Sequence, residues 1–177
     1  MVKDEHPVVK LGSLRVAFDD ERAVADFDRA ITLSPRDGAA YLDRANLYHV
    51  KGDWPRAIAD YDRALAVDPN RVDAYISRGT AYAKIADYTH AIADYAAAVR
   101  LGGRGPELYS DLGLAKLQAG QYADAITDLD SSLAMDPGNA KTIYSRGRAK
   151  LKLGDERGGR EDVSAARLLD PALPDID

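Results

Sequence analysis

Cysteine is absent from this 177-residue chain, which excludes disulfides and thiolate chemistry. Histidine is nearly so: His6, His49 and His90 stand 41 or more residues apart, and none has a second ligand three or four positions away. No apolar stretch approaches the roughly 20 residues that a membrane-spanning helix needs. The opening residues Met1 to Pro7 have no apolar centre of the signal-peptide kind, so a cytoplasmic chain is expected. There is no long basic run, and the formal charge is only −5, which argues against a nucleic-acid footprint. The segment Gly102-Gly103-Arg104-Gly105 has no Gly-Lys-Ser/Thr ending and follows no strand pattern, so it is no phosphate loop. It is expected instead to loosen a turn. Neither a catalytic constellation nor a metal or cofactor site is legible.

What the chain does have is a period. Proline recurs at Pro35, Pro69, Pro137 and Pro171, with spacings of 34, 68 and 34 residues. Cut in that phase, the whole chain reads as one array of repeats at 4–37, 38–71, 72–105, 106–139 and 140–173. A fixed period of this size signals stacked helical hairpins with no closed core. The apolar fraction of 46% and charged fraction of 30% suit a folded chain and exclude disorder.

The second repeat shows how each unit works. Tyr41, Ala45 and Tyr48 make one helical stripe, and Gly52 stops the helix. Asp53 then caps a second helix that carries Pro55 in its first turn, where a missing N–H is harmless. Ala57, Ile58, Tyr61, Ala64 and Leu65 form its stripe, and Asp68-Pro69 ends it. Each helix should run about 13 residues, or roughly 20 Å.

The marks return in register. First helices carry Tyr75, Gly79 and Tyr82, then Tyr109 and Gly113. Second helices carry the small residues Ala23, Ala57, Ala91 and Ala125, with Phe27, Tyr61, Tyr95 and Leu129 as their large neighbours. This pattern resembles the tetratricopeptide repeat family over essentially the whole chain. The resemblance implies an all-α fold, a right-handed α-α superhelix or solenoid of about five helix-turn-helix repeats. The first repeat departs from it, with Pro7 and Leu11 at the aromatic and small positions. The fifth departs with Gly159 where alanine is usual.

The pairs Val24/Ile31, Ile58/Leu65, Ile92/Val99 and Ile126/Leu133 should face the following hairpin, together with Trp54, Tyr88 and Tyr122. In the last repeat these positions are Arg160, Arg167 and Glu156, so the final helix is expected to be a polar cap. The N-terminal end shows no such conversion. Val8, Val9, Leu11, Leu14, Val16 and Phe18 read as a decayed first repeat or as an apolar edge.

Aspartate precedes the large second-helix residue in every repeat, as Asp26, Asp60, Asp94, Asp128 and Asp162. Arginine precedes the small first-helix residue as Arg44, Arg78 and Arg146. The first expectation is exposed pairs between one repeat and the next, Asp26–Arg44, Asp60–Arg78 and Asp128–Arg146, with pairing inside one repeat as the alternative. Leu112 replaces the arginine in the fourth repeat, so Asp94 should lack a next-repeat partner. Trp54 should pack at its hairpin turn, and His90 should sit on the surface.

The resemblance also implies that first helices line a groove for a protein or peptide partner. By position its lining is Leu42, Asp43, Asn46, His49 and Val50; then Asp73, Ile76, Ser77, Thr80 and Lys84. The fourth repeat adds Glu107, Ser110, Asp111, Leu114 and Gln118, and the fifth adds Lys141, Tyr144, Ser145, Arg148 and Lys152. Chaperone co-factors of the family hold a C-terminal carboxylate with lysine, asparagine and arginine. Here Asn46 keeps one asparagine, but Leu42, Ser77, Glu107 and Asp111 replace the other clamp residues. Two cations have become anions, so that clamp is not expected. The expected function is a non-catalytic adaptor that binds in its groove. The alternative is a self-assembling scaffold that forms homo-oligomers through the N-terminal edge.

Overall fold

Short polar residues cap the starts of five helices, and a recurring left-handed position follows the first helix of each hairpin. The computed structural model describes residues 8–176, with side chains from residue 21 onward. Residues 1–7 and 177 are outside it, so Pro7 and the edge side chains Val8 to Phe18 lie outside the described residues. The chain divides into two units between Pro69 and Asn70. The first holds α1 (Val8–Leu33), α2 (Gly38–Val50) and α3 (Trp54–Val67). The second holds α4 (Val72–Lys84), α5 (Tyr88–Arg100), α6 (Pro106–Gln118), α7 (Tyr122–Met135), α8 (Ala140–Lys152) and α9 (Glu156–Leu169). No strand occurs among the described residues. The fold is all-α and of the helical-repeat solenoid kind.

Asp37, Asp53, Asp87, Asn139 and Asp155 each accept a backbone N–H at a helix start, satisfying donors that the helix itself leaves unpaired. Hairpin turns need a positive φ, which Gly52, Gly120 and Gly154 supply at 74°, 78° and 89°. Ala86 occupies the same repeat position with φ 60°. The turn after α5 is packed and not loosened. Gly103 is buried, and its N–H donates to the Ala98 carbonyl at 2.9 Å, while Gly102 donates to Val99 at 3.0 Å. These two bonds close the helix end in the Schellman manner. In the described part of the first repeat, α1 is one uninterrupted helix.

Packing within unit two follows the small-and-large pattern. Ala91, Ala98 and Ala125 are fully buried, as is Leu129, while Tyr95 keeps 2% of its surface. Ile92 and Val99 of α5 pack against the cluster that joins Ala91, Tyr95 and Ala98 of α5 to Leu108, Leu112 and Ala115 of α6. Ile126 of α7 meets the cluster of Leu117 and Ala149, and Leu133 meets Ile143 of α8. Each large side chain taken from water contributes about 1.5–3 kcal/mol. On α9 the corresponding positions are charged: Arg160 is exposed with Glu156 at 3.4 Å, and Arg167 pairs with Asp175. Beyond α9, Leu173 packs against Leu133, Ile143 and Ala166.

The arginine–aspartate pairs correct the first expectation. Each arginine grips the aspartate 16 positions later, on the second helix of its own hairpin. Arg44 donates to Asp60 at 2.6 and 2.7 Å, Arg78 to Asp94 at 2.8 and 2.6 Å, and Arg146 to Asp162 at 2.8 and 2.7 Å. The antiparallel return of the hairpin brings these two positions level, so a two-pronged grip forms. The link to the preceding repeat goes to an aspartate two residues further along, Asp28 for Arg44 and Asp130 for Arg146. Nor are the pairs exposed: Asp60, Asp94 and Asp162 retain 6%, 5% and 8% of their surface. Asp26 itself is exposed. Asp128, whose hairpin has Leu112 in place of arginine, takes Lys116 at 2.6 Å.

Candidate functional site: the first-helix face

The predicted lining divides between the two units. In unit one, Leu42 is buried at 6% exposure, so it belongs to the core and offers a partner little surface. Asp43 and Val50 are exposed. The Tyr61 hydroxyl donates to Asn46 Oδ1 at 2.8 Å and lies 3.4 Å from His49 Nδ1. The His49 ring meets Trp54 edge-on at 5.0 Å, which places Trp54 at its hairpin turn. His49 and Asn46 are therefore already engaged with side chains of α3.

In unit two the first helices α4, α6 and α8 lie side by side, α4 against α6 and α6 against α8. Thr80, Lys84, Asp111, Leu114 and Gln118, all expected in the groove, converge on one recess of about 230 Å³. Tyr88 and Tyr95 of α5 complete its wall with Ala83 and Ala115. The sequence points Tyr88 at the following hairpin and marks Tyr95 as a large second-helix residue, and the aromatic spacing gives no sign that they also bound a recess. The Tyr95 hydroxyl donates to Thr80 Oγ1 at 3.1 Å, and Thr80 donates in turn to the Ile76 carbonyl at 3.0 Å.

Asp111 is half-buried in this recess and makes no hydrogen bond or ion pair among the described residues. Burial pushes its carboxyl above the usual carboxylate range, the charge of Glu107 one turn earlier adds to this, and Lys84 opposes it. Tyr95 reports the same field. Burial, with the charges of Asp111 and Asp94, pushes its phenol up to about 12 against the Thr80 hydrogen bond.

The remaining predicted residues do not join this recess. The Asp73 side chain is held by Arg71 at 2.8 Å, which lowers its carboxyl below the ordinary range, and Ser77 is half-buried on α4. On α8, Arg148 and Lys152 share a second cleft of about 200 Å³ with Leu151, Glu156, Arg160 and Ile176. Tyr144 packs toward the cluster of Leu133, Ile143 and Ala166, while Lys141 is exposed. His90 is exposed, stacks on Tyr82 at 4.9 Å and approaches Asp87 at 2.7 Å. Among the described residues, no three histidine or acidic side chains come together as metal ligands, and no helix is long and apolar enough to cross a membrane.

Comparison with known proteins places these helices in a wider set. The sequence profile of the tetratricopeptide repeat matches residues 76–140 and again 110–174, and a TPR repeat profile matches residues 45–85. No curated protein matches the chain in sequence. Among solved structures, a crystal structure of MamA superposes with a TM-score of 0.81 at 21% identity, over 89% of this chain and 92% of that one. MamA from Desulfovibrio magneticus RS-1 gives 0.80 at 20% identity, over 99% and 100%. The first TPR domain of Spaghetti (RPAP3), bound to the HSP90 peptide SRMEEVD, gives 0.62 at 22% identity, over 66% and 93%. At these identities the likeness is one of fold.

Proposed function

Because the chain belongs to the tetratricopeptide repeat family, we propose that it is a non-catalytic protein-interaction module, binding an extended segment of a partner protein on its first-helix face. One observation carries the reading. The recess of unit two brings together five groove positions from two first helices, and it leaves an unpaired carboxylate at its wall. Side chains that serve only to hold a hairpin are paired, as Arg78 and Asp94 are. Asp111 serves no such purpose, and a partner is what it is free to meet. An acidic peptide such as the one in the Spaghetti complex suits the α6 part of this face poorly, since Glu107 and Asp111 stand there. A few buried anchors would supply most of the affinity, and the charges would govern orientation and on-rate.

The test is affinity capture with three forms of the chain: wild type, a Leu114→Arg/Arg148→Glu variant on the first helices, and a Thr127→Lys variant on the exposed side of α7. All three should give the same helical circular dichroism. A partner held by wild type and Thr127→Lys but lost from the first-helix variant is the expected result. Equal capture by all three would put binding on another surface.

A further inference from the structure

Resting on the interaction-module reading, we propose that the recess between α4, α5 and α6 takes one arginine side chain of the partner's segment, with its guanidinium on Asp111.

The reason begins with an exception. The other buried or half-buried carboxylates in the middle of unit two's helices each hold a cation: Asp94 has Arg78 at 2.6 Å, Asp128 has Lys116 at 2.6 Å, and Asp162 has Arg146 at 2.7 Å and Lys150 at 2.8 Å. Asp111 is half-buried yet has no ion pair, so only the longer-range charge of Lys84 offsets its desolvation. Lys84, the only cation lining the recess, is exposed and makes no ion pair among the described residues. The acidic charges of Asp111 and Glu107 stand here against the single cation Lys84. Burial first, and then the charge of Glu107 on Asp111 and of Asp111 on the Tyr95 hydroxyl, make both groups resist losing their protons. A cation entering from a partner relieves all of this at once.

Shape narrows the occupant. At about 230 Å³ the recess admits a side chain. The half-buried Tyr88 offers an aromatic ring to the recess, the nearly buried Tyr95 backs it, and Gln118 adds an amide. A guanidinium is flat, weakly hydrated and forked, so it lies along a phenol ring while giving two hydrogen bonds to one carboxylate. An ammonium is more strongly hydrated and gives a carboxylate no matched pair of donors. The Glu107 charge one turn away extends the preference to the approach path, which favours basic segments during encounter.

The experiment selects binders from a displayed library of random nonapeptides on the full chain. An enriched sequence is then synthesised and titrated by fluorescence polarisation. Arginine should dominate one fixed position. Replacing that arginine by glutamine, or Asp111 by asparagine in the protein, should each weaken binding about tenfold. Both changes together should weaken it little more than either alone, because they remove the same contact. Asp111→Asn should melt no lower than wild type, since its carboxylate supports nothing in the free protein. A peptide with no fixed basic residue, or unchanged binding by Asp111→Asn, overturns the arginine assignment. If that peptide is still lost from the Leu114→Arg/Arg148→Glu variant, the module reading survives the loss. Failure of the library to yield any binder overturns both.

Discussion

Among the described residues, Ala86 is the one residue other than glycine with a positive φ. At φ 60° it holds a conformation that glycine adopts at the same place in the neighbouring hairpins, at positions 52, 120 and 154. A Cβ in the left-handed region costs roughly 1–2 kcal/mol, and glycine returns part of that gain through its looser unfolded chain. Ala86→Gly should therefore raise stability by about 0.5–1 kcal/mol, read as a higher urea midpoint with an unchanged slope. A lower midpoint would mean that the alanine methyl makes a contact worth more than the strain. The opposite change is tested at Gly113. A Cβ there would stand 2.7 Å from Leu129 Cγ and 3.1 Å from the Ala125 carbonyl. Overpacking of this kind costs about 1–3 kcal/mol, so Gly113→Ala should lower the same midpoint. Both predictions were half-visible in the repeat. The period marks Gly79 and Gly113 as small positions of the first helix, and it aligns Ala86 with the glycine stops, but only the backbone shows which alanine is strained.

At the scale of the helix pair, the arginine–aspartate grip holds the α2–α3, α4–α5 and α8–α9 hairpins closed. Burial raises the Asp162 carboxyl, but hydrogen bonds and charge from Arg146 and Lys150 more than offset it, and the net direction is down. The unfolded chain would titrate near 4 at this residue, above the folded value. Its contribution is thus fully present above about pH 4 and is lost as pH falls through the lowered folded pKa. Arg146→Met removes three charge-assisted hydrogen bonds, two to Asp162 and one to the exposed Asp130, and should cost about 2 kcal/mol at pH 7. The gap from wild type should narrow when urea unfolding is repeated at pH 3. A gap that stays constant with pH would assign the loss to packing of the arginine stem instead. The sequence announces both partners in this pair by their 34-residue recurrence, yet a strict period cannot say whether an arginine reaches forward or back by half a repeat. Hairpin geometry decides it. The same ambiguity hid the recess: Thr80, Lys84, Asp111, Leu114 and Gln118 follow from first-helix positions, but Tyr88 and Tyr95 sit on a second helix whose spacing speaks only of packing. Leu42 fails for the converse reason, since position on a helix face does not reveal how deeply that face is covered.

For the molecule as a whole, the division at Pro69 makes a prediction about autonomy. In a repeat protein each hairpin leans on its neighbours alone, and stability accumulates as a sum of such steps. Unit two has six helices in sequence contact, from α4 to α9, with Leu108, Leu112, Leu129 and Leu133 buried along the way. Its last helix also carries charged Arg160 and Arg167 in place of apolar residues, so that end presents a polar face. Unit one has three helices, and a core of that size supplies no more than about 3–5 kcal/mol. A chain of residues 70–177 should therefore keep its helical circular dichroism and melt in one cooperative step, whereas residues 1–69 should melt earlier and more broadly. Because Asp111, Tyr88 and Tyr95 all lie in the larger piece, it should also bind the selected arginine peptide with an affinity within about threefold of the full chain, a difference of roughly 0.6 kcal/mol. A folded 70–177 fragment that has lost the peptide would show that residues before Asn70 take part in recognition, and it would move the anchor of the partner out of the recess.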